Sequence, residues 1–465
     1  MRRLALVSLL LCGGCVYYNG MYNARKYTHE AEKAEREGRT LDASTAWGQV
    51  TVKAETLLAR HPASRYAPAA RVLMGRAYAR LGDCTSARTA LEPGLAMIRD
   101  SVLLLEGQLA LARCYVKLDE PARAIGMYRQ VLAHAPDTLQ AVLQPELIRA
   151  VRFSGDYERG LELVDTTAPG LAGERMALLA GAGHFAEAQR LADSLATAGD
   201  TLAPWDSTAA AAGRRDPRSA SRIVDAMLRI NGTPADRRAR WLLADGERLA
   251  PVDTSAAMAR YRAAIETRPP EDVRSRARLA MLRLGLSHAA TPGQLDSFVP
   301  ELQQEADASS LASDASVLLA AVQEILEVRD SVSAATPRGD LRTFLAGESA
   351  RDVLRAPFLA RAVLVSVADR WPASPYAAKA LLAAHLLAPE DTALMVRIDS
   401  VYGASPYVLA MQGDDVPELR ALEDSLGAFA RSEVRPATRG RRPPAAAPGT
   451  SRKVTTPGQR APELR

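Results

Sequence analysis

VLMGRAYARLGDCTSARTAL, residues 72–91, lies over LALARCYVKLDEPARAIGMY, residues 109–128, without a gap at a spacing of 37 residues. Gly75 falls on Ala112, Tyr78 on Tyr115, Ala87 on Ala124 and Leu91 on Tyr128, and the second copy closes at Pro136. The order of sizes has a steric reading. Small side chains let two antiparallel helices approach, bulky ones fill the hole between neighbouring pairs, and proline stops the second helix. Weaker copies follow at SGDYERGLEL (154–163), GAGHFAEAQRLA (181–192) and SAAMARYRAAIETRP (255–269), where Ala257, Tyr261 and Pro269 hold the alanine, bulky and proline positions. An early half-copy, EGRTLDASTAW, carries Gly38, Ala43 and Trp47.

This is the tetratricopeptide repeat (TPR) pattern, and the fold it predicts is all-α: a TPR-like α-solenoid of antiparallel helix pairs with a disordered C-terminal tail. The joints repeat as well. RHPASRYA at 60–67 returns as RWPASPYA at 370–377 and more loosely as YGASPYVLA at 402–410. Pro62 and Pro372 push the preceding residue out of the α region and end a helix. Ser64, Ser374 and Ser405 then stand where an N-cap is needed, with Pro375 and Pro406 at the first helical position. Tyr66, Tyr376 and Tyr407 are expected to pack back on the preceding helix.

The chain has 465 residues, more than one ordinary core, and only 23 of them are aromatic. Its net charge of +5 is unevenly spread, because residues 431–465 carry nine Lys or Arg against two Asp or Glu. With Arg2 and Arg3 also set aside, residues 15–430 are near −4, which argues against a nucleic-acid-binding body. The expected organisation is a signal peptide over 1–14, an anchor and lead-in over 15–30 and a TPR-like array over 31–197. A loop or linker follows over 198–222, then a helical repeat segment over 223–330, C-terminal helical repeats over 331–430 and a basic, Pro-rich tail over 431–465. Residues 198–222, 287–296 and 331–340 mix Gly, Pro, Ser, Thr and Asp without apolar period and read as loops or joints. The tail has too little apolar content for a core. Its basic character suits either an electrostatic hook for acidic polymer or headgroups or a solvated tether.

MRRLALVSLLLCGGC opens the chain with two arginines, an apolar run from Leu4 to Leu11, two small residues and Cys15. It resembles a bacterial lipoprotein signal, in which Cys15 becomes the acylated first residue of the mature chain. Cys12 departs from the usual Leu three positions before the cut. The run is too short to span a bilayer of about 30 Å.

Six histidines are dispersed without ligand spacing, so no metal site is expected, and no nucleophile and base converge, so no catalytic residue is expected. GAGHFA at 181–186 resembles a dinucleotide fingerprint only superficially, because it sits at a helix-to-helix turn, and no cofactor is implied. Cys84 and Cys114 fall in consecutive repeats and are candidates for a disulfide in an oxidising compartment, or else two buried small hydrophobes. In register, Arg76, Arg113 and Arg149 follow Gly75, Ala112 and Ile148, with Arg80, Lys117 and Arg152 about one turn on. They are candidates for a cationic ladder that holds an extended peptide by charge-assisted hydrogen bonds. The alternative is solvated cations near helix C-termini, favoured by the macrodipole.

Taken with EREGRTLDASTAW and LLARHPASRYAPAARVLMGRAYARLGD, residues 15–165 resemble the BamD-like outer-membrane TPR lipoproteins of the β-barrel assembly machinery. That resemblance implies a lipid-anchored protein on the periplasmic face of the outer membrane. Its repeats would be non-catalytic and bind barrel-assembly components or nascent outer-membrane proteins. Repeat proteins of the Tol-Pal system share the joint, so a cell-envelope or cell-wall scaffold is the alternative, and an envelope enzyme with an unrecognised site is the reading from another class. The chain is longer than the family's five-repeat members, and its later repeats are eroded.

Overall fold

Residues 20–164, 169–308 and 310–433 are described in a computed structural model of the chain. Cys15, the signal segment and residues 434–465 of the tail lie outside the described residues. The chain divides into two compact units, Met1–Met281 and Leu282–Arg465. The described residues form helices and turns, with no strand among them.

In the first unit, α1 (Tyr22–Arg36) pairs with α2 (Thr40–Arg60), α3 (Ala67–Leu81) with α4 (Cys84–Leu95) and α5 (Ser101–Lys117) with α6 (Pro121–Leu132). The pairing continues with α7 (Asp137–Ser154) and α8 (Tyr157–Leu163), α9 (Ala172–Ala182) and α10 (Phe185–Thr197), α11 (Trp205–Gly213) and α12 (Pro217–Leu228), and α13 (Ala235–Leu249) and α14 (Thr254–Glu266). First helices also pack on first helices, α3 on α5 and α9 on α11, which is how helix pairs become a stack. The helix α15 (Glu271–Ser287) runs across the boundary between the units.

The small-against-large logic is visible in atoms. A Cβ on Gly75 would stand 2.5 Å from Leu91 Cγ, and one on Gly246 would stand 2.5 Å from the Tyr261 ring. Ala87, Leu91, Ala112 and Ala124 are fully or almost fully buried, and Trp47 and Tyr128 fill the spaces between pairs. The turn between paired helices is repeated too. Gly82 closes α3 with φ +88°, and Asp119, its counterpart 37 residues on, closes α5 with φ 58°. Asp83 and Glu120 then donate their backbone N–H groups back to Tyr78 and Tyr115.

Beyond α15 the second unit carries a capped 3₁₀ turn, Pro292–Phe298, in which Thr291 and Gln294 bond reciprocally. It continues with α16 (Val299–Ala308), α17 (Ala312–Ser331), α18 (Gly339–Asp352), α19 (Pro357–Arg370), α20 (Ala377–Leu386), α21 (Thr392–Tyr402), α22 (Pro406–Gln412) and α23 (Pro417–Glu433). Here a Cβ on Gly347 of α18 would meet Leu364 of α19 at 2.7 Å, the same joint in different residues. Among the described residues no helix is long and apolar enough to cross a membrane.

Two expectations are corrected. Residues 198–222 are not a linker: α11 and the first half of α12 lie there. The Pro and Asp residues that looked like loop are helix ends. Asp216 caps α12 by accepting from the N–H groups of Arg218 and Ser219, with Pro217 at the first position, and Pro204 precedes α11. Ser64 and Ser374 are not N-caps either. Each sits one turn earlier, its hydroxyl accepting from the backbone N–H of Tyr66 or Tyr376, and the helix starts after that tyrosine. Pro375 therefore lies outside α20. Only the third joint follows the expected frame, with Ser405 before α22 and Pro406 at its first position. Tyr376 is buried and its hydroxyl reaches forward, donating to the carbonyl of Leu422 in α23.

Candidate functional site

The residue after each small joint position cannot face the partner helix, since one step along a helix turns about 100°. That rotation sends Arg76, Arg113 and Arg149 to the face shared by successive first helices. There α1, α3, α5 and α7 line a cleft of about 800 Å³. Its walls carry Arg36, Arg76, Arg80, Arg113, Lys117 and Arg149 against Glu32, Glu35, Glu106 and Glu146, over an apolar floor that includes Leu109, Ala110 and Val116.

The cations do not stand free as an open ladder. Arg76 bridges Glu32 of α1 at 2.8 Å and Glu106 of α5 at 2.6 Å, and only 11% of its side chain is exposed. Arg113 grips Glu146 of α7 with two hydrogen bonds of 2.9 and 2.8 Å. The Tyr128 hydroxyl donates to the same carboxylate at 2.9 Å. Arg149 reaches Glu174 of α9 at 3.2 Å. Each bond crosses from one helix pair to the next, so the charges tie the stack together along its inner face. Arg152 does not line the cleft. It is buried, bonded to Glu174 at 2.7 Å and to Ser207 of α11 at 2.9 Å, a structural tie rather than a ligand contact.

The carboxyls respond to these settings. Burial pushes Glu106 up, against the pull of Arg76 and with the help of Glu32 and Asp100. Burial would raise Glu146 too, but the hydrogen bonds and charge of Arg113, with the Tyr128 hydroxyl, outweigh it and hold that carboxyl below its usual range. Burial and then the Glu146 charge push the Tyr128 phenol up.

Three cations keep their charge available. Arg36, Arg80 and Lys117 are exposed and lie in the last turns of α1, α3 and α5. Glu35 stands 3.6 Å from Arg80, too far for a hydrogen bond, and already accepts the Trp47 indole N–H at 2.8 Å. Sequence reasoning found Arg80 and Lys117 but missed Arg36 and every cleft carboxylate. A signal was present: Glu32 and Arg36 are four apart, Glu146 and Arg149 three, and Glu106 and Arg113 seven, so each acid shares a helix face with a base.

Behind the cleft, Cys84 at the start of α4 and Cys114 late in α5 are joined in a disulfide, with their Cα atoms 5.0 Å apart. Cys114 also lines the cleft wall. GAGHFA is the turn from α9 to α10, where Gly183 has φ +95° and His184 lies 3.3 Å from Glu158. Among the described residues no group of three or more His, Cys, Asp or Glu is placed to hold a metal ion.

No protein-family model matches this sequence, and no curated protein matches it. Among solved structures the chain is similar to a tetratricopeptide repeat protein from Parabacteroides merdae. That match has 13% identity and a TM-score of 0.36, and covers 56% of this chain and 99% of that one. It is also similar to the TPR domain of P58(IPK), at 15% identity with a TM-score of 0.27, over 89% of this chain and 99% of that domain.

Proposed function

We propose that this chain is a non-catalytic, protein-binding scaffold of the bacterial cell envelope. Cys15 tethers it by lipid to the periplasmic face of the outer membrane, and it holds partner segments during outer-membrane protein assembly. The observation that carries the binding role is the cleft along α1, α3, α5 and α7. At about 800 Å³ it falls within the usual range for ligand sites, it is apolar at its floor and polar at its walls, and it is continuous across four helix pairs. The lipid tether and the setting are supported by MRRLALVSLLLCGGC and by the resemblance of residues 15–165 to barrel-assembly lipoproteins. More than one acyl chain is needed for lasting attachment, which a lipoprotein cysteine supplies.

A photo-crosslinking residue at Ala110, on the cleft floor, tests the reading in intact membranes, with one at the exposed Val52 of α2 as control. Barrel-assembly components or their clients should be recovered from the Ala110 position and not from the Val52 position. Recovery of Tol-Pal or cell-wall proteins would move the scaffold to another envelope machine, and no protein adduct would end the binding role. Labelled palmitate should enter the wild type and not Cys15→Ser; incorporation into both removes Cys15 as the anchor.

A further inference from the structure

We infer that the cleft is selective for an acidic, extended segment whose carboxylate side chains lie three residues apart, recognised by Arg36, Arg80 and Lys117. This rests on the binding role proposed above and names its ligand class. The first helices α1, α3 and α5 run in the same direction, so their last turns lie at one end of the cleft. Each last turn carries one of these exposed cations. Arg36 and Lys117 have no ion pair among the described residues, and Arg80 has only the long contact to Glu35. Arg76 and Arg113 differ: they already hold carboxylates of the chain itself, so a ligand that used them would first have to break Glu106 or Glu146 away.

The spacing follows from packing. Neighbouring helices lie roughly 8–10 Å apart, and an extended polyproline-II segment rises about 3.1 Å per residue with three residues per turn, so side chains three residues apart share one face and keep pace with the row. Each helix C-terminus contributes negative partial charge that draws these cations inward, yet the side chains remain exposed to a partner. Recognition uses internal Asp or Glu side chains, so a free terminal carboxylate is not required.

Fluorescence anisotropy with the full chain tests the inference. The probes are labelled, disordered peptides of equal length: one with Asp at every third position, one with the same Asp residues clustered at one end, and one with Asn in their place. The spaced peptide should bind roughly tenfold tighter than the Asn peptide, and the advantage should shrink as salt rises. The double variant Arg80→Ala, Lys117→Ala should remove that advantage. Arg99→Ala, Arg129→Ala, which removes equal charge from exposed positions outside the cleft, should keep it, and both should unfold at the wild-type temperature. Amidating the peptide C-terminus should change nothing. Equal binding of the spaced and Asn peptides, equal binding of the clustered peptide, or loss on amidation overturns the inference while the scaffold role stands on the Ala110 crosslinks. Failure of every peptide to bind also overturns it.

Discussion

The pairs α3/α4 and α11/α12 do the same job with different residues. In the first, Gly75, Tyr78, Ala87 and Leu91 occupy the four diagnostic positions. On the same count the second has Thr208, Ala211, Ala220 and Val224, all buried. The aromatic position has shrunk to alanine, and the bulk has moved to Trp205, which is 1% exposed at the start of α11 and donates its indole N–H to the carbonyl of Asp200. What a stacked pair requires is a filled volume between helices, and an aromatic side chain at one fixed position is only one way of filling it.

The comparison breaks most directly at Trp205. Trp205→Ala should cost ~3–5 kcal/mol in urea unfolding, since the emptied volume cannot collapse among the surrounding alanines. A loss of a few tenths would mean that α11/α12 is not a packed pair. Gly75→Val should come next, at about 1–3 kcal/mol, because its first carbon would meet Leu91 at 2.5 Å and the buried leucine must move. A neutral result would show that close approach at that joint is dispensable. The smallest effect is Asp216→Ala, expected at ~1 kcal/mol through the two lost cap bonds, read as a lower thermal midpoint. No change there would restore the loop reading of that stretch.

The same residues show what could be read from the sequence and what could not. Gly75, Ala87, Leu91 and their counterparts 37 residues on announce helix pairs, because size alternation at fixed spacing has few other causes. Residues 198–222 hide theirs because Pro204, Asp216 and Pro217, the signals of a loop, are equally the signals of helix ends. At the cleft, register alone placed Arg76, Arg80, Arg113 and Lys117. It could not show that Arg76 and Arg113 are already engaged, because Glu32, Glu106 and Glu146 lie 30 or more residues away in sequence and meet them only when the pairs stack. Arg152 looked like the next rung and is interior, since its guanidinium is taken up by Glu174 of α9 and Ser207 of α11.

The bond between Cys84 and Cys114 also has a mechanical side. Pulled by its two ends, a stack of helix pairs pays out chain unit by unit, but the stretch with a sequence separation of 30 between these cysteines never carries the load. Roughly 100 Å of contour stays locked away, so the back of the cleft keeps its shape under a tension that would straighten its neighbours.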